Sequence, residues 1–196
     1  YSRIEKMNKK IALISALFAA TLVSSCVQVI SEPVSAKKKN NVAISSVRDI
    51  PMSFPQGSEF SLAPKYVEET SLKPAQTQAV YNMYANTIIN DLIAHDFVHS
   101  TASNMPAFYV GFGVALASDL SDEVINEKFG VTPGLQASND QEKGSFLIYI
   151  EDTITNQRVW RGTVQGFVQD DYNQDQRQER VEKVVNMVLS QFYNAG

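Results

Sequence analysis

Apolar positions change their period along this chain, and each change marks an element. From Ile11 to Val23 the run is apolar or small throughout, with no polar face. At about 13 residues it falls short of the roughly 20 that span a bilayer and fits the apolar stretch of an export signal. From Asn41 to Arg48 (NVAISSVR) β-formers return, although the alternation slips at Ser45-Ser46. Glu59 to Leu62 predicts a second short strand ended by Pro64, with turns at Pro51 and at Pro55-Gln56-Gly57. Ser71 to Ala94 reads as a helix: Val80, Tyr84, Ile88 and Leu92 recur every four residues, and Tyr81, Ile89 and Ile93 widen the stripe. Ser71 or Thr77 can cap it, and Pro74 suits its first turn.

Beyond the helix the period shortens to two. In Pro106 to Ala117, Phe108, Val110, Phe112, Val114 and Leu116 line one face. The other holds Ala107, Tyr109, Gly111, Gly113 and Ala115. Ser118 to Gly130 predicts a short helix with Ser121 as N-cap, and Val131 to Gly144 a polar loop. Phe146 to Asp152 and Arg158 to Val168 then form a hairpin, turned by Thr153 to Gln157. A final helix runs from about Gln174 to Asn194, with Val181, Val184, Val185, Val188, Leu189 and Phe192 as its apolar stripe. The pattern predicts an α+β fold: an antiparallel β-sheet with two long amphipathic helices packed mainly on one face.

Residues 1–6, YSRIEK, precede Met7 and are read as upstream of the true start. Lys9 and Lys10 then precede the apolar run, and Val23-Ser24-Ser25-Cys26 follows it. That ending resembles the lipobox of bacterial lipoproteins, where small residues admit a peptidase before a lipid-modified cysteine. A buried core helix and a secretory peptide with an incidental cysteine are the competing readings. Cys26 is the only cysteine and stands at the required place, which favours lipidation. The chain therefore divides into residues 1–25, removed; 26–41, the lipidated Cys26 and a flexible tether with Lys37-Lys38-Lys39; and 42–196, one domain. One acyl chain holds only marginally, so a lasting anchor needs several, palmitate among them. By resemblance to lipoprotein sorting, Val27 after the cysteine favours the outer membrane, with the domain in the periplasm.

Charge narrows the partners. The chain has 17 basic and 21 acidic residues. Loss of residues 1–25 removes four basic and one acidic, leaving 13 and 20 and a net charge of −7 on 171 residues. An acidic domain argues against nucleic acid and against electrostatic docking on anionic lipid. The expected partners are the membrane, through the N-terminal anchor, and an envelope protein.

Candidate chemistry is sparse. His95, Asp96 and His99 invite a metal reading, but the helix ends near His95, so His99 leaves its face and no third ligand is evident. Asp170, Asp171 and Asp175 lack the glycine turn and terminal glutamate of a calcium loop. Gly111-Phe112-Gly113 lies in a strand with no following lysine or helix start, so it is not a phosphate loop. Two glycines at i, i+2 admit close approach, either of a tightly packed helix or bulge, or of a partner or ligand. Tyr109, Gly111, Gly113 and Tyr149 are the candidate binding residues. Trp160 is expected to lie flat over Gly162 and Gly166, and Arg161 to face Glu151 or Asp152. Glu151, Asp152, His95 and His99 are the only acid–base candidates; adjacent strand carboxylates point to opposite faces and do not converge. No catalytic residue, metal or cofactor is assigned.

The order of these motifs resembles a known family. NTIINDLIAHDF closes a helix, AFYVGFGVAL follows as a strand, and GSFLIYIEDTITNQRVWRGTV leads into the last helix. This is similar to the bacterial lipoprotein family catalogued as domain of unknown function 4136. Ile148, Ile150, Asp152, Val159, Trp160, Arg161 and Gly162 carry the match; residues 42–70 match loosely. The resemblance implies a cell-envelope α/β domain of unassigned biochemistry and supplies no catalytic residues. A non-catalytic binding module is the first expectation. A small-ligand binder or hydrolase of the envelope, and a structural subunit of an outer-membrane assembly, are the alternatives.

Overall fold

The computed structural model describes residues 26–30, 41–63, 74–101, 105–131, 134–136, 141–169 and 171–194. Their elements are β1 (Cys26–Ile30), β2 (Val42–Arg48), β3 (Glu59–Leu62), α1 (Pro74–Ala94), β4 (Val98–His99), β5 (Phe108–Leu116), α2 (Asp122–Phe129), β6 (Lys143–Asp152), β7 (Gln157–Phe167) and α3 (Gln174–Tyr193). The strands form one sheet in the order β1-β2-β7-β6-β5-β3-β4.

The sheet is mixed, not antiparallel as the pattern predicted. From β1 across to β5 every neighbour is antiparallel, but β3 runs parallel to both β5 and β4. The reason is the crossover. α1 lies between β3 and β4 in the chain and carries it back to the end of the sheet where β3 began, and adjacent strands joined this way are parallel. Alternation in a sequence reports which residues share a face, and carries no strand direction.

A second departure concerns residues expected in the tether. Cys26 to Ile30 form β1, paired from Cys26↔Ser46 to Ile30↔Val42. Val27, Val29 and Ile30 are β-branched, and β2 would otherwise present a free edge. The predicted signal segment and the lysine triplet lie outside the described residues, as do the proposed cap Ser71 and Asp170. Thr77 falls inside α1, which opens at Pro74.

One sheet face carries α1 and α3. Phe60, Phe108, Val110, Phe112, Phe146, Ile148, Ile150, Trp160 and Val164 are all buried against the helices. Tyr81 stacks on Phe112 and Tyr84 on Phe146, at 4.8 and 4.7 Å between ring centroids. Burying each large apolar side chain contributes about 1.5–3 kcal/mol. All six predicted stripe residues of α3 are buried. A capping box starts this helix: Asn173 accepts from the Gln176 N–H, and the Gln176 side chain accepts from that of Asn173.

The end of α1 is also locally determined. The Asp96 N–H donates to the Ile93 carbonyl and the Phe97 N–H to the Leu92 carbonyl, both at 3.1 Å. With Asp96 at φ 66°, this is a Schellman ending with aspartate where glycine is usual. Phe97 then turns inward against Phe108.

The register of β6 and β7 slips between Ile150 and Glu151, so Val159 has no partner of its own. A bulge re-aims side chains. Val159 and its neighbour Trp160, which strict alternation would send to opposite faces, both enter the helix-side core. On the opposite face α2 and its flanking segments bury Ala115, Leu120, Ile125, Val131 and Leu147.

Candidate functional site

The predicted binding residues lie on the sheet face that α2 covers only in part, and β5 and β6 position them. Gly111 stands directly opposite Tyr149, Tyr109 opposite Glu151, and Gly113 opposite Leu147. A Cβ on Gly111 would fall 2.1 Å from a Tyr149 ring carbon. What approaches this glycine so closely is therefore the protein's own tyrosine, not a helix and not an open groove. Tyr109 and Tyr149 are diagonal cross-strand neighbours and both are half-buried. Gly113 is separated from them: its partner Leu147 lies in the α2 cluster. The Tyr149 hydroxyl is pushed to a higher pKa, first by burial and then by the Glu151 carboxylate, with Arg158 opposing.

Beside this aromatic pair is an ion cluster that the sequence did not foretell. Asp49, just past β2, receives Arg161 Nη2 at 2.9 Å and Arg158 Nε at 3.3 Å. Arg161 pairs with neither Glu151 nor Asp152: Tyr149 stands opposite it, and Arg158 stands opposite Glu151. Its guanidinium packs over Gly130, where a Cβ would fall 2.8 Å from Nη1. Gly130 closes α2 at φ 64°, so that position needs glycine both for conformation and for space.

Asp152 acts locally. Its Oδ1 accepts from the Thr155 N–H and hydroxyl, each at 2.7 Å, and so shapes the hairpin turn. Trp160 lies over Gly162 alone, where a Cβ would be 2.7 Å from the indole. The space at Gly166 is filled by the Arg180 guanidinium. The family-like residues Asp152, Trp160, Arg161 and Gly162 thus build a turn, a core, an ion pair and a close contact.

His95 and His99 diverge. His95 stacks on Tyr193 at 3.7 Å and contacts Asp91, whereas His99 lies beside Phe60 on β4. Tyr193 donates its hydroxyl to Asp91 Oδ1 at 2.7 Å, and Asn186 reaches Oδ2 at 3.4 Å, so Asp91 ties α1 to α3. Burial, and then the Asp91 carboxylate, keep the Tyr193 phenol protonated far above its usual range. Among the described residues no group of three or more His, Cys, Asp or Glu side chains is placed to hold a metal ion.

Under the loop after α2 lies a buried polar network. Gln165 donates to Asp122 Oδ1 at 2.6 Å and to Ser145 at 3.0 Å, and accepts from the Leu135 N–H at 3.3 Å. Lys143 completes it with Asp122 Oδ2 at 2.7 Å. This network pins α2 to β6 and β7. An open groove of about 470 Å³ lies at the hairpin end of the sheet, lined by Glu59, Met105, Pro106, Ala107, Thr153 and Ile154.

The solved PelC dodecamer from Paraburkholderia phytofirmans is 12% identical, with a TM-score of 0.46 over 75% of this chain and 96% of that one. A solved DUF4136 family protein from Bacteroides thetaiotaomicron is also 12% identical, with a TM-score of 0.47 over 76% and 94%. A PDZ domain protein from Parabacteroides distasonis gives 12% identity and a TM-score of 0.48 over 96% of this chain and 40% of that one. No curated protein matches. The family model described as "Domain of unknown function (DUF4136)" matches residues 46–192, three quarters of the chain, so the chain belongs to the DUF4136 family.

Proposed function

We propose that this protein is a lipid-anchored domain of the bacterial cell envelope, held at the outer membrane by an acylated Cys26 and facing the periplasm, and that it works by binding rather than by catalysis. The observation that carries the reading is the segment Met7 to Cys26: two lysines, an apolar run too short to span a bilayer, and small residues before the only cysteine.

The geometry supports the binding half. Asp152, an acid–base candidate, has Oδ1 committed to its own hairpin turn, and His95 is stacked on Tyr193. What the open part of the sheet offers a partner is aromatic surface, Tyr109 and Tyr149, bordered by Glu151 and the Asp49–arginine cluster. Such a surface has ring faces for contact and hydroxyls for orientation.

Intact mass and fractionation of the native protein against Cys26→Ser test the anchor. The expected mass begins at Cys26 with added acyl chains, in outer-membrane fractions, and the variant becomes soluble. A native protein that is soluble and unacylated refutes the anchor. The binding half is tested by capture of envelope components on the soluble domain, repeated with Tyr109→Ala/Tyr149→Ala. Recovery that the double variant leaves unchanged removes these tyrosines from the interface.

A further inference from the structure

We propose that the β1 edge of the sheet lies along the lipid surface, so that the domain stands edge-on to the membrane with β4 farthest from it. This rests on the reading of Cys26 as a lipid anchor and adds to it how the domain is oriented on the bilayer.

The first observation is where the anchor sits. Cys26 is the first residue of β1, and its backbone is level with that of Ser46 on β2. Pairing continues through Ile30↔Val42, over the whole length of the strand. The residue that carries the acyl chains is thus itself a residue of the sheet, with no linker between lipid and domain. β1 is also the outermost strand on its side.

The second observation is the level of Cys26 along the strands, which eliminates the other orientations. Through Ser46 it stands level with Gly162, Ile148 and Phe112, each near the middle of its own strand. At about 3.3 Å per residue, roughly 15 Å of sheet extends past Cys26 in each direction. A domain standing on either end of its strands would sink that end about halfway through the hydrocarbon core, which is ~30 Å thick. The hairpin end carries Asp49, Glu59 and Asp96, all exposed. The other end carries Ser118 and Glu142, also exposed and hydrogen-bonded to each other at 2.6 Å. Neither set of polar groups is at home in lipid. Lying on a face is no better. α1 and α3 cover one face as far as β2, where Arg48 donates to the Phe192 carbonyl at 2.9 Å. A helix layer about 10 Å thick would then separate Cys26 from the bilayer. On the other face α2 and its flanking segments are the obstacle, packed over Leu147 and Val47. The edge is the orientation left.

Edge-on placement has two consequences. The outward N–H and C=O groups of β1 meet hydrated headgroups, so the lipid surface covers β1 as β1 covers β2. With about 4.8 Å between strands, β4 stands roughly 29 Å above β1, and β6 and β5 hold Tyr149 and Tyr109 roughly 15–20 Å above it. That aromatic surface is clear of the headgroups and looks along the membrane plane.

The test uses the full-length acylated protein in vesicles of phosphatidylethanolamine and phosphatidylglycerol containing a phospholipid with a nitroxide on its headgroup. Acylation blocks the only native cysteine, so a single introduced cysteine takes a fluorescent dye. Asn41→Cys and Ser46→Cys report from beside β1, Val98→Cys from the β4 edge, and Ile154→Cys and Ser118→Cys from the two strand ends. The expected result is loss of most fluorescence at 41 and 46, and little loss at 98, 154 and 118. Dyes at 41 and 46 that stay bright on an acylated protein overturn the proposal and leave the anchor intact. Quenching at 154, 118 or 98 equal to that at 46 does the same. Hydrogen exchange needs no dye: β2 amides are expected to be as protected in the vesicle-bound protein as in soluble Cys26→Ser. Loss of that protection on acylation means that β1 leaves the sheet to become a tether, and refutes edge-on placement. A mass without acyl chains overturns the anchor and this proposal together.

Discussion

Single residues decide several local outcomes here. At Gly162 a methyl group would fall 2.6 Å from Val188 and 2.7 Å from the Trp160 ring, both buried, with no room to yield. Gly162→Ala is expected to cost about 1–3 kcal/mol in urea unfolding. Gly111→Ala meets only the half-exposed Tyr149 ring, which can swing outward, so its cost is expected to be smaller; the reverse order would show that the ring over Gly111 is the more rigidly held. Asp96, at φ 66°, tests the end of α1. Asp96→Ile is expected to destabilise by about 1–2 kcal/mol, and Asp96→Gly to match or exceed the natural protein in thermal melts. The sequence showed that the helix stops near His95. It did not show that aspartate takes the left-handed position, because nothing in composition separates an aspartate that caps from one that is merely exposed. The ion cluster was hidden for a similar reason: Asp49 and Arg161 lie more than a hundred residues apart, and a register bulge, not alternation, decides which way Arg158 and Val159 face.

The seam between α1 and α3 is where elements and pH meet. Tyr84 is pushed up to about 12 by burial, with Arg180 opposing, and Tyr193 is raised further by burial and by Asp91. Both folded values lie above the ordinary 10 of the unfolded chain. The folded state thus holds these protons more tightly, and its advantage is full below pH 10 and declines as pH rises above it. Unfolding free energy is expected to fall from pH 9 to pH 11, and Tyr84→Phe/Tyr193→Phe to flatten that fall; an unchanged slope would place the alkaline sensitivity elsewhere. Stripes, strands and the α2 cap were legible as elements because each depends on neighbours in sequence. The parallel direction of β3 was not, because it follows from how α1 crosses the sheet. Nor was β1: a strand of five residues at an edge is stabilised by its partner, which the local pattern does not contain.

At the scale of the whole molecule, β1 and β4 form the two edges of the sheet. A soluble chain beginning at residue 41 leaves β2 uncovered, and uncovered strands recruit others. It is expected to self-associate in sedimentation, whereas one beginning at residue 27 stays monomeric; equal behaviour would deny β1 a protective role. The order of the sheet also sets a clock. β2 joins β7 through pairs from Val42↔Gly166 to Arg48↔Trp160, across most of the chain's length. Pairing so distant in sequence is slow, because loop closure must precede any gain from the contact. A chain emerging N-terminus first from a ribosome or a translocation channel therefore has β2 paired with β1 alone until β7 has followed. The inner edge of β2 stays open for that whole interval, and the hairpin made last is the one that joins the two halves of the sheet.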